Sequence, residues 1–123
     1  AVNLASRLDG LTKKFRVECV CTDEVLEQVP NAKHVRLIAQ LRVQGRESLT
    51  NVYEIFSHID PDLIRERASY QGVFEQAVRE YGVGSFPDAR SKFESLSRFQ
   101  IRDPVIDHYL QELSVDVESK GAA

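Results

Sequence analysis

Val2-Asn3-Leu4-Ala5-Ser6-Arg7-Leu8 opens the chain with apolar residues at helical spacing, and Asn3 and Arg7 interrupt it four positions apart. Positions i and i+4 share a helix face. Asn3 and Arg7 therefore stand together, an amide one turn from a fixed cation. Such a pair suits a phosphate ester of a sugar, because the amide can orient a sugar oxygen while the guanidinium stabilises charge on a phosphoryl group. On spacing alone, an ordinary amphipathic helix with Asn and Arg on its wet side accounts for the same pattern. Outward from this segment, Val2, Leu4, Ala5, Leu8, Leu11 and Phe15 recur every three to four residues and predict a helix over 2–14. Asp9, Lys13 and Lys14 face out, and the lysines sit at the end where the helix dipole favours cations.

Residues 16–22, Arg-Val-Glu-Cys-Val-Cys-Thr, are rich in strand formers. Alternation puts Val17, Cys19 and Cys21 on one face and Glu18 and Val20 on the other. Thr22 or Asp23 then caps a short helix over 23–29 that stops at Pro30. Residues 33–43 alternate as a second strand, with Val35, Leu37 and Ala39 in phase, then Leu41 and Val43. Gln44-Gly45-Arg46-Glu47-Ser48 reads as a hairpin connection, and 49–57 as the returning strand. Cys19 and Cys21 cannot alone make a four-ligand zinc site, and His34, His58 and His108 are scattered. Both cysteines are expected to be reduced, buried strand residues.

The opening segment resembles the VNxASR element of the class III nucleotidyl (adenylate/guanylate) cyclases. Leu41-Arg42-Val43-Gln44-Gly45-Arg46, followed by Val52-Tyr53-Glu54-Ile55, is similar to that family's VKGR…VYEI ending. The resemblance implies an α+β fold in which residues 1–58 are a partial, ferredoxin-like half of the catalytic domain. It implies that Asn3 positions the ribose and Arg7 stabilises the phosphoryl transition state as ATP or GTP becomes a cyclic nucleotide, cAMP foremost, and pyrophosphate. The site would form at the interface of a homodimer. Gln44 stands where the family carries a nucleotide-binding Lys; the amide keeps a donor but loses the charge. Arg46, two residues on, is placed to compensate as a second substrate-binding residue, although Arg42 and Arg46 equally suit a solvated edge that discourages aggregation. The family's metal-binding aspartates and base-selecting residues precede the VNxASR element. Mg²⁺ or Mn²⁺ therefore belongs to the parent enzyme. This chain is expected to hold no metal and to be inert alone.

Past residue 60 the period becomes helical. Asp60-Pro61-Asp62 reads as a cap and first turn. Val73, Phe74, Ala77, Val78 and Tyr81 form one stripe, Gly82-Val83-Gly84 breaks it, and Phe86, Ala89, Phe93 and Leu96 form another. Asp103-Pro104 opens a third helix carrying Val105, Ile106, Tyr109, Leu110 and Leu113. Residues 60–115 resemble one tetratricopeptide-type helical hairpin plus a following helix, with Ala77 and Ala89 letting two helices approach. A plain three-helix cap on the sheet fits the same stripes. Residues 116–123 lack a core pattern and are expected to be a disordered tail.

The net charge of −3 among 123 residues gives no footprint for nucleic acid or an anionic membrane. No apolar run spans a bilayer and no signal peptide is present, so a cytoplasmic location is expected. The missing initial Met and the motif at residue 2 suggest a piece of a longer parent. Two classes stay open: a fragment of a nucleotidyl cyclase, or a degenerate homologue acting as a dimerisation or protein-binding module through its helical tail. A half sheet leaves edges and an apolar face exposed, so residues 1–58 are expected to pair with another copy or another chain, or to be poorly ordered. Gel filtration checks this, and a well-behaved monomer with a fully formed sheet would refute it.

Overall fold

Three short runs of strand formers pair antiparallel, and five helices accompany them among the described residues. The computed structural model describes residues 2–29, 33–42, 45, 48–98 and 102–122, with 2, 3 and 115–122 as backbone alone. Helix α1 (Val2–Phe15) leads to β1 (Val20–Thr22) and α2 (Asp23–Glu27). Strands β2 (Val35–Leu41) and β3 (Thr50–Ile55) precede α3 (Pro61–Gly82), α4 (Phe86–Leu96) and α5 (Pro104–Ala122). The fold is mixed α+β, with a helical segment after the sheet. Strand order is β1-β3-β2, so the last strand made is the central one.

The phase of β2 changes partway along. Arg36 pairs with Glu54 and Leu37 with Tyr53, but the next pairs are Ala39 with Val52 and Gln40 with Asn51. Ile38 is the extra residue of a β-bulge. Val35, Leu37 and Ala39 are therefore not on one face, as simple alternation expects. Arg36, Leu37, Ile38 and Ala39 are all buried. Strand β1 is shorter than the expected 16–22, because Arg16 adopts a left-handed backbone with φ 56°. Cys21 is buried, and that burial pushes its thiol pKa up. Cys19 lies before the strand and is exposed, against expectation, and both cysteines are free.

The helical pattern is formed as its residues dictate. Asp60 caps α3, its Oδ1 accepting from the Asp62 amide at 2.8 Å, with Pro61 in the first turn. Gly84, at φ 85°, makes the turn into α4, where a side chain would be strained. Phe74, Ala77 and Val78 face Ala89 and Phe93 across the α3–α4 seam and are buried. Phe93 stacks on Tyr109 of α5 with centroids 4.8 Å apart and meets Phe74 edge-on at 6.0 Å. Val73, placed in the stripe by its spacing, is instead 44% exposed, and Tyr70 is buried in its stead. Helix α5 continues to Ala122, through the stretch from 116 that was expected to be disordered.

These helices close over the sheet. Helix α3 serves the outer edge of β2: Gln71 Nε2 donates to the Val35 carbonyl at 3.0 Å, and the Leu37 amide donates to Glu75 Oε2 at 2.6 Å. Side chains thus take the place of a neighbouring strand. Tyr109 of α5 donates its hydroxyl proton to the Ile38 carbonyl at 2.5 Å. The core is continuous from Phe15 and Val17 through Ile38 and Val52 to Phe93 and Leu113. The change of period near residue 60 thus falls inside one packed unit.

A polar cluster sits within that core. Arg36, 1% exposed, donates Nε to Glu54 Oε1 at 2.8 Å and two guanidinium nitrogens to the Asp103 carboxylate, one of them at 2.9 Å. Arg67 donates to Glu54 Oε2 at 3.0 Å, and Tyr70 donates to Asp103 Oδ2 at 2.7 Å. Burial disfavours the Arg36 charge, but Asp103 and Glu54 more than offset it and raise its pKa. Burial likewise pushes Asp103 up, yet Arg36 and then Arg67 bring it below the usual carboxylate range. Tyr70 is raised by burial and by Asp103.

Asp103→Asn isolates the charge, since Asn keeps the cap on the Val105 amide. We expect it to lower stability by about 3 kcal/mol at neutral pH. A depressed carboxylate stabilises above its unfolded pKa and loses that contribution as pH falls through the folded value. Urea titrations should therefore show the gap between wild type and Asp103→Asn closing as pH falls from about 5 toward 2.

Candidate functional site

Helix α1 is amphipathic, with Leu8 and Leu11 packed against the core and Phe15 within it. Phe15 lies 5.3 Å from the ring of Tyr109 and edge-on to His108 at 4.9 Å, which anchors the end of α1 on α5. The helix is continuous through positions 3 and 7, so the backbone places both residues on one face. Arg7 is exposed, and its Nη1 donates to the Arg42 carbonyl just past the end of β2. The guanidinium is thereby drawn to the start of the β2–β3 connection, and this bond uses one of its five N–H donors. Only the backbone of Asn3 is described. Gln44 and Arg46 lie outside the described residues, so the structure brings neither of them to Arg7 nor away from it.

Beside the first turn of α1, a cleft of about 220 Å³ is bounded by Leu4, Asp23, Glu24, Ser48 and Thr50. A row of side chains crosses the sheet behind it. Gln40 Nε2 donates to Asn51 Oδ1 at 2.9 Å, and Asn51 Nδ2 donates to Asp23 Oδ2 at 3.0 Å. Burial and then the hydrogen bond to Asp23 push the Tyr53 phenol up to about 12. This row fixes α2 against β3 and leaves Asp23 engaged. Among the described residues no three His, Cys, Asp or Glu side chains gather as a metal cage.

Two contributions escaped the sequence reading. The Arg42 carbonyl that holds Arg7 has no signature, because every residue carries that acceptor. The Arg36–Glu54–Asp103 cluster had one available signal: Arg36 is the lone charged residue within the apolar run 35–41. No helix among the described residues is long and apolar enough to cross a membrane.

No protein-family model matches the chain, and no solved structure matches it. Over 58 residues it is 34% identical to a protein described as "Adenylate cyclase" from Anabaena cylindrica, a match covering 45% of this chain and 12% of that protein. The chain thus spans well under two thirds of this curated relative. The similarity supports a cyclase-related origin.

The Asp23 contact gives a direct check on this region. Replacing Asp23 with Asn removes a charge that raises the Tyr53 pKa, so the Tyr53 phenol is expected to titrate below 12 in the variant. NMR titration of the tyrosine ring carbons reads this, and an unchanged midpoint would show that burial alone sets it.

Proposed function

We propose that this chain is the C-terminal part of the catalytic domain of a nucleotidyl cyclase, followed by a tetratricopeptide-like helical segment. The parent enzyme would convert ATP, or GTP, to the cyclic nucleotide and pyrophosphate in cytoplasmic signal transduction. One observation carries the reading: Arg7 is exposed on the helix face it shares with Asn3, and it is drawn toward the connection that carries Gln44 and Arg46. The similarity to an adenylate cyclase agrees with it. Asn3 would orient the ribose, and Arg7 would stabilise charge on the transferring phosphoryl group. Gln44 and Arg46 would meet the phosphates, Arg46 by a forked pair of hydrogen bonds. The divalent ion, Mg²⁺ or Mn²⁺, would be held by a part of the parent outside this chain and would activate the ribose hydroxyl. A homodimer would bring that part to Asn3 and Arg7, so these 123 residues alone would be inactive.

Gln44 favours a second reading. Losing the Lys charge at a triphosphate site weakens nucleotide binding, as expected of a degenerate homologue retained for dimerisation or for docking a protein through its helices. The two readings separate when the full-length parent is assayed for cyclic nucleotide production with Mn²⁺. An active parent should lose ~10²-fold or more in kcat on Arg7→Ala. Its stability should change by about 1 kcal/mol or less, since the side chain is exposed. An inactive wild-type parent would favour the module.

A further inference from the structure

The end of α1 and the start of α5 enclose a cleft of about 420 Å³, within the range of small-ligand sites. Lys14, Arg16, Arg102, His108 and Gln111 line it, with Asp107 as the carboxylate among the lining residues. Three permanent cations thus face one acid, in a chain whose net charge is −3. Asp107 is engaged by Arg102 at 3.4 Å. The His108 imidazole has one nitrogen on Glu112 at 2.9 Å. Lys14 and Arg16 have no carboxylate partner among the described residues, whereas Lys13 beside them pairs with Asp9.

Arg16 adds an independent observation. The Val17 amide donates to the Thr12 carbonyl at 3.1 Å, the long-range bond of a Schellman helix end. Arg16 is the residue that this motif puts in the left-handed region, at φ 56°. Glycine adopts that conformation without steric penalty and is the usual occupant. An arginine there, exposed and lining the cleft, carries a local backbone cost that a glycine would not.

We propose that this cleft binds a pyrophosphate-class anion, free or carried on a larger molecule. With Arg102 shared with Asp107, Lys14 and Arg16 leave about two positive charges unmatched, which a polyanion balances better than one carboxylate. Two guanidiniums and an ammonium converging from two elements match the oxygens of linked phosphates. The site is separate from Asn3 and Arg7 and does not depend on the cyclase reading.

Calorimetric titration of inorganic pyrophosphate into the full 123-residue chain tests it. Arg16→Gly is the decisive variant, because it removes the cation while relieving the backbone. It should keep or raise the melting temperature and weaken binding about tenfold or more. Lys14→Ala should weaken it less, and Arg7→Ala, at the other end of α1, should leave it unchanged. ADP tested in the same way distinguishes the sources: tighter binding than pyrophosphate marks a nucleotide, equal or weaker binding the free anion. No binding at millimolar pyrophosphate would overturn the proposal, as would full affinity in Arg16→Gly or a loss on Arg7→Ala.

Discussion

A guanidinium withdrawn from water governs this structure. Taking such a charge into the interior costs several kcal/mol unless charge and hydrogen bonds are returned to it. Arg36 receives them from Glu54, its register partner on β3, and from Asp103 at the start of α5. Arg67 and Tyr70 complete the shells of the two carboxylates, so two cations face two anions. The ring of Phe74 lies 4.4 Å below the guanidinium carbon and shields it from solvent. Because the partners come from different elements, neutralising this charge also fixes how the helices sit on the sheet.

That arrangement reaches the candidate site through β2. Arg36 pins the start of the strand, and the carbonyl just past its far end holds Arg7. Helix α1 is then held twice, by Arg42 near its start and by the aromatic contacts of Phe15 near its end. The face carrying positions 3 and 7 is positioned by the same core that buries the helical stripes. The helical segment thus supports the sheet directly, through the edge bonds of Gln71 and Glu75 and the Tyr109 contact with Ile38. Those edge bonds show how a sheet of three strands keeps the edge of β2 from lying bare to water.

What could be read from the sequence depended on whether a single local rule governed it. The three helices after the sheet follow one period, and their ends carry strong punctuation in Asp60-Pro61, Gly84 and Asp103-Pro104, so their placement was legible. Strand alternation is a fragile rule, since one extra residue reverses every side chain beyond it. The bulge at Ile38 did this, and so hid the true faces of β2 from Ala39 onward, while the burial of Arg36 depends on Asp103, 67 residues away, which no local rule reveals. The exposure of Cys19 follows from a single left-handed residue three positions earlier, which nothing about an arginine announces. At the candidate site, the shared face of positions 3 and 7 follows from helical spacing and was legible. The anchoring of Arg7 on a distant carbonyl, 35 residues away, is tertiary and was not.

The separation within the buried ion cluster bears on the order of events during synthesis. Arg36 leaves the ribosome 67 residues ahead of Asp103. In that interval the nascent chain can pair β2 with β3 and offer Glu54, yet it lacks the second counter-ion and the helix that seals the cluster. A half-neutralised cation resists dehydration, so the emerging hairpin should stay wet and its apolar side open to chaperones until α5 appears. Final closure would then be a late, all-or-none step, set by the arrival of one aspartate.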